Sequence, residues 1–144
     1  MADELMMGID AGTSRVRVLV FEMDGTVVAE GSSEPKVDRP TPGWASTESE
    51  DLWSSCLEAM KVAVSEVAHP KRIRSIAVAS VGEAAVPLDG KGEPLYPVIA
   101  WYDARTAGQV KWLEQKIGKQ RLFEITGLYP YPFFGVCKQM WIRD

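Results

Sequence analysis

The sequence predicts an α/β domain in which a mixed β-sheet carries flanking helices, and three observations predict it. Three extended apolar runs crowd the N-terminal end: Leu5 to Asp10, Arg15 to Phe21 and Thr26 to Ala29. A long stretch at helical spacing follows them, and an apolar, β-branched run from Ile73 to Val81 comes after that. A meander followed by a helix and another strand implies a right-handed crossover onto the same sheet, which makes the sheet mixed.

The elements follow in chain order. Leu5 to Asp10 ends near a glycine, as a buried strand does. The run from Arg15 begins with polar/apolar alternation and becomes wholly apolar by Phe21, so it enters the core as it proceeds. Asp24-Gly25 between two such runs predicts a hairpin with a type I′ turn. A Pro- and Gly-rich loop spans Ser32 to Trp44. In the segment from Thr47 to Val67, the residues Trp53, Cys56, Leu57, Met60, Val64 and Val67 form a stripe that also takes in Ala63, with a capping box of Thr47 and Glu50 ahead of it. His69 before Pro70 reads as a helix boundary. Val86 to Asp89 and Tyr96 to Trp101 read as extended segments, kept to an edge or loop by Pro87, Pro94 and Pro97. Asp103 is a good N-cap for a helix with Ala107, Val110, Leu113 and Ile117 on one face and Gly118 at its end. Shorter helices are expected around Lys119 to Ile125 and Cys137 to Ile142, and the helical pattern still runs at Asp144, as in a truncated chain.

At 144 residues, the chain fits one domain, 1–144, with enough core to fold without staples. A net charge of −4 and the lack of a basic run exclude nucleic acid as a partner. Asp3 and Glu4 stand where a signal peptide carries positive charge, and no apolar run approaches the ~20 residues of a membrane span. A cytoplasmic chain with no membrane partner is expected. Cys56 and Cys137 form no metal-ligand or C-x-x-C pattern and read as reduced thiols.

Two acid-plus-Gly-Thr signatures compete for chemistry. FEMDGT, Phe21 to Thr26, resembles the first motif of haloacid-dehalogenase-like phosphatases, but Glu22 stands at the nucleophile position and a third strand follows directly. The longer carboxylate would displace the attacking oxygen, so the hairpin reading is preferred. IDAGTS, Ile9 to Ser14, has Asp10 at the end of a strand and a tight turn of Gly12, Thr13 and Ser14. Such a turn offers N–H groups and hydroxyls to a phosphate, and Asp10 offers a ligand to Mg²⁺. Spacing alone leaves a plain hairpin turn open, and that is the commoner case.

Four stretches taken together resemble the N-terminal part of the FGGY carbohydrate kinases, the family of glycerol kinase and xylulokinase. They are GIDAGTSRVRVLVFEMDG, PGWASTESEDLW, GEPLYPVIAWYDART and TGLYPYPFFGVCKQMWIRD, in order and at compatible spacing. The resemblance implies a ribonuclease H-like domain of the actin/hexokinase/Hsp70 superfamily, using ATP and Mg²⁺ to phosphorylate a sugar or polyol. It implies that Asp10 helps hold Mg²⁺, that Gly12, Thr13 and Ser14 form the first phosphate loop, and that Arg17 stabilises charge on the transferring phosphoryl group. Arg15 receives no role.

On the acceptor side the resemblance points to Glu83, Trp101, Asp103 and Phe133. Glu83 can accept hydrogen bonds from neighbouring hydroxyls, but Gly82 precedes it where glycerol kinase has arginine, and the histidine of xylulokinase is also missing. Trp101 suits either an apolar wall for a sugar or a core position. Asp103 suits either a substrate contact or a helix cap. Phe133 stands where glycerol kinase has a substrate-contacting tyrosine and can pack but not hydrogen-bond. The catalytic base and the C-terminal ATPase-type domain would lie beyond Asp144, so the isolated chain should not turn over. Apolar surface left uncovered predicts self-association, a possible homodimer. The alternative is a stand-alone module that binds a nucleotide or polyol without catalysis.

Overall fold

The computed structural model describes residues 4–144; the expectation for Asp3 therefore lies outside the described residues. In chain order the elements are β1 (Leu5–Ala11), β2 (Val16–Glu22), β3 (Val27–Ser33), β4 (Ser46–Thr47), α1 (Ser49–Ser65), a 3-10 turn (Pro70–Arg72), β5 (Ile73–Ser80), β6 (Val98–Ile99), α2 (Ala107–Ile117), α3 (Lys119–Thr126) and α4 (Gly135–Arg143). They divide into two compact units. The first comprises the described residues up to Val37 together with Glu48–Val81, and the second comprises Asp38–Thr47 and Gly82–Asp144.

The first unit is the predicted mixed sheet, in the order β3-β2-β1-β5, with β1 antiparallel to β2 and parallel to β5. One face is dry: Leu5, Met7, Ile9, Val16, Val18, Val20 and Ala29 pack against Ala59, Ala63 and Val67. The expected stripe of α1 is shifted. Trp53 is 56% exposed, and the centre of the buried face is Ser55, Ala59 and Ala63, with Leu52, Cys56, Met60 and Val64 alongside. Gly31 of β3 supplies the reason. A Cβ there would stand 2.1 Å from the Ala59 carbonyl oxygen and 2.7 Å from the Ala63 nitrogen, so helix and strand meet backbone to backbone and only small residues fit between them.

Two local expectations are corrected. The β2–β3 turn is not type I′, because Asp24 does not adopt positive φ and only Gly25 does, at +90°. Gly25 N donates to Glu22 O (3.0 Å) and Glu22 N to Thr26 O (2.9 Å), a three-residue loop with the glycine in the left-handed position. Asp24 Oδ1 accepts from Thr26 N, which holds its carboxyl below the usual range. The capping box is also absent. Thr47 is buried in β4 opposite Val98, while Glu48 occupies the N-cap of α1 without a side-chain cap. Glu50 and Asp51 in the first turn complement the helix dipole instead. His69, as expected, marks a boundary, standing before the 3-10 turn. Although its composition reads as buried, β5 is exposed along nearly its whole length, since among the described residues it pairs only with β1.

The second unit holds a two-residue ladder, β4 with β6, and helices α2 to α4. The expected extended segment at Val86 to Asp89 reduces to one bridge, Leu88 to Pro94, around a turn closed by Gly92 N on Asp89 O. Helix α2 begins at Ala107 behind Thr106, so Asp103 is not its N-cap. Only Val110 of the predicted α2 face is fully buried, and Ile117 is exposed.

Candidate functional site

In the first unit the C-terminal ends of the parallel strands β1 and β5 lie side by side, and Ser80 Oγ donates to Ala11 O (3.0 Å) to tie them. Ligands of open α/β sheets collect at such ends. Asp10 projects from the face opposite α1, because the neighbouring alternate positions Ile9 and Ala11 face the core. It is exposed, and among the described residues no hydrogen bond or ion pair engages its carboxylate. Arg17 stands directly across the β1–β2 ladder. Both line a depression of about 450 Å³ on this open face, with Gly8, Leu19, Phe21 and Val78.

The turn after β1 closes through Gly12 N donating to Arg15 O (3.1 Å). A Cβ on Gly12 would lie 2.7 Å from that oxygen, so the tight turn requires glycine. Ser14 is exposed and Thr13 half-buried, and among the described residues neither hydroxyl has a protein partner. Arg17 is paired with Glu30 (3.2 Å), both side chains about half exposed. Arg15 is paired with Glu34 (2.7 Å), and Glu22 of FEMDGT with Arg72 (3.3 Å). For Mg²⁺ the donor set fits a single carboxylate, Asp10, with the remaining positions left to water and phosphate oxygens, the usual arrangement for that ion. Among the described residues no cluster of three metal-ligating side chains exists.

In the second unit, Glu83 is the only non-glycine with positive φ (60°) among the described residues. Its carboxylate Oε2 accepts from Gly135 N at the start of α4, and its carbonyl accepts from Lys138 Nζ. Lys138 is buried, and desolvation pulls its ammonium below the usual lysine range against the opposing pull of Glu83. Cavities of about 310 Å³ and 170 Å³ adjoin Glu83 and Gly135. The larger is lined mainly by Leu113, Leu122, Leu128 and Phe134, the smaller by Val86, Ile99, Lys138 and Ile142. Trp101 and Phe133 are not among the residues lining either. Phe133 packs on Tyr131 and Phe134 (5.1 and 4.6 Å between ring centroids). Trp101 is 46% exposed, so it is not a core tryptophan.

Asp103 has a third role, foreseen by neither of its sequence readings. Oδ1 accepts from Arg105 N (2.8 Å) and Nε (2.9 Å), and Oδ2 accepts from Arg105 Nη2 (2.8 Å) and from Ala45 N. Arg105 lies over Trp44 (4.3 Å) and Trp141 (5.2 Å) and donates to Tyr96 Oη (3.1 Å). Trp101 sits on the turn that this clamp closes, with Asp103 N on Ala100 O and Ala100 N on Ala45 O. Sequence reasoning passed over Arg105, Gly135 and Lys138. All three stand inside the motif stretches, so the signal was present, but a motif does not say what its residues touch.

Residues 5–144 match the family described as the FGGY family of carbohydrate kinases, N-terminal domain. The chain is 32% identical over 145 residues to a glycerol kinase of Saccharolobus islandicus, covering 100% of this chain and 28% of that protein. Among solved structures, a xylulose kinase from Rhodospirillum rubrum superposes with a TM-score of 0.88 at 25% identity, over 97% of this chain and 29% of that one. A xylulose kinase from Brucella ovis gives 0.86 at 28% identity, over 96% and 29%. The chain thus spans little more than a quarter of the length of these relatives. Their shared fold is the ribonuclease H-like one, with the mixed sheet and flanking helices expected from the sequence. With the family signature running through residues 5–144, the chain belongs to the FGGY family of carbohydrate kinases, as an N-terminal portion.

Proposed function

We propose that the chain is the N-terminal part of an ATP-dependent kinase that phosphorylates a hydroxyl of a sugar or polyol. The observation that carries this is Asp10, an exposed and unengaged carboxylate beside the Gly12-Thr13-Ser14 turn and across from Arg17, in a chain of this family. The turn supplies N–H groups and two hydroxyls to a phosphate of ATP. Asp10 would hold Mg²⁺, which when bound neutralises phosphate charge. Arg17 can leave Glu30 for the transferring group, because an exposed ion pair is worth about 1 kcal/mol at most, less than a charge-assisted bond to a phosphoryl oxygen. Glu83 accepts from acceptor hydroxyls, Trp101 and Phe133 offer apolar faces, and Asp103 holds the turn that presents Trp101.

The general base belongs to sequence outside these residues, so this chain alone is expected not to transfer phosphate. A cytoplasmic location is part of the same proposal, supported by two unpaired cysteines. So is self-association of the isolated chain, supported by Ile76 and Val78 exposed on the edge strand β5. No helix among the described residues is long and apolar enough to cross a membrane.

The test is Asp10→Ala in the full-length kinase, followed as ADP release with polyols and ketoses. Transfer should vanish while the circular dichroism spectrum is unchanged, and retained transfer would reject the role given to Asp10.

A further inference from the structure

We infer that Lys138 is a positioning residue that sets the direction of the Glu83 carboxylate toward acceptor hydroxyls. The inference rests on the reading of Glu83 as a substrate contact. Left-handed backbone at a glutamate is strained and persists only where the surroundings over-determine it. Here two donors from the first turn of α4 do so. Gly135 N holds Oε2, and Lys138 Nζ, three residues on, holds the carbonyl of the same residue. The arrangement needs a glycine at 135, since a Cβ there would stand 2.9 Å from Oε2. It also needs a long cationic side chain at 138, buried to 4% exposure so that its ammonium cannot turn to solvent.

The consequence is chemical. With Oε2 committed to α4 and Oε1 unengaged among the described residues, Glu83 offers one outward oxygen whose direction is fixed by α4. Hydroxyl donors of a polyol are the groups that oxygen can take. If Lys138 loses its ammonium, the carbonyl loses its partner, the backbone relaxes from positive φ, and Oε1 swings away.

The experiment is a double-mutant cycle in the full-length kinase, reading acceptor KM, ATP KM and kcat. Lys138→Met is expected to lower acceptor kcat/KM tenfold or more with ATP KM within twofold, and Glu83→Ala to do the same. The double variant should be no worse than Glu83→Ala alone. Losses that multiply would mean that Lys138 acts on the fold rather than through Glu83, and an unchanged acceptor KM in Lys138→Met would overturn the inference. If Glu83→Ala itself leaves acceptor kinetics untouched, the reading of Glu83 fails and the inference falls with it. Should Lys138→Met not fold, Gly135→Ala presses on the same carboxylate and is expected to raise acceptor KM alone; no rise overturns the inference. A readout free of turnover is the Gly135 amide proton resonance of the full-length kinase. It should move upfield in Lys138→Met as the hydrogen bond to Oε2 is lost, and an unmoved resonance would also overturn the inference.

Discussion

Asp103→Asn separates a structural carboxylate from a substrate-binding one. The side chains of Asp103 and Arg105 are 0% and 1% exposed, and four donors converge on the two Asp103 oxygens. Asparagine keeps the shape, removes the charge and turns one acceptor into a donor that faces other donors. Arg105, enclosed by Trp44, Trp141 and Tyr96, then keeps a buried charge without its partner. Breaking such a pair from one side costs about 3–5 kcal/mol, a large share of the roughly 5–15 kcal/mol that stabilises a domain. Urea unfolding followed by tryptophan emission suits the question, because Trp44 and Trp141 lie on the pair itself. The midpoint should fall by an amount equivalent to about 3 kcal/mol or more. Replacing both partners, as Asp103→Leu with Arg105→Met, should recover only part of that loss, since it removes the unpaired buried charge but leaves the backbone N–H groups of residues 45 and 105 without their acceptor. A loss below about 1 kcal/mol, accompanied by a raised acceptor KM in the full-length kinase, would refute the structural assignment and restore Asp103 to the substrate.

Gly31→Ala places a methyl against the backbone of α1, where no side chain can yield, so a loss at or above the upper end of the roughly 1–3 kcal/mol typical of overpacking is expected in the same urea assay; an unchanged midpoint would deny the close approach. Burial pushes the thiols of Cys56 and Cys137 above their ordinary 9.0, so the folded chain keeps protons that the unfolded chain releases. Their contribution is therefore complete below pH 9 and declines as pH rises through the folded values. Cys56→Ala with Cys137→Ala should flatten that alkaline decline relative to the parent, with Lys138, whose lowered value gives the opposite slope, present in both proteins.

The sheet and the helices were legible because their signals are local. Alternation in β2, the apolar run of β1 and the spacing of α1 each state a period, and a period fixes an element. What misled was anything decided by a partner distant in sequence. Thr47 and Glu50 satisfy the capping pattern, yet Thr47 is taken up by pairing with Val98. Trp53 lies on an apolar stripe, yet Gly31 draws the helix onto Ala59 and Ala63 and leaves the indole outside. The composition of β5 reads as interior, but an edge strand acquires its burial only from a neighbour, and composition does not name the neighbour.

The carboxylates make the same distinction for the site. Asp10 and Asp103 stand in motif-bearing stretches and Glu83 just after β5, and nothing in the sequence ranks the three. The number of acceptor positions left open does. Asp103 has none to spare, with four donors bound and no exposed surface, and its service to a ligand can only be indirect, through the turn that bears Trp101. Glu83 has committed one oxygen to α4 and keeps the other, which makes it directional. Asp10 has committed neither and is exposed at a strand end, a state that serves the fold little and suits a cation or its waters. A motif records that a residue type is required; the hydrogen bonds already made determine whether the requirement comes from the fold or from the ligand.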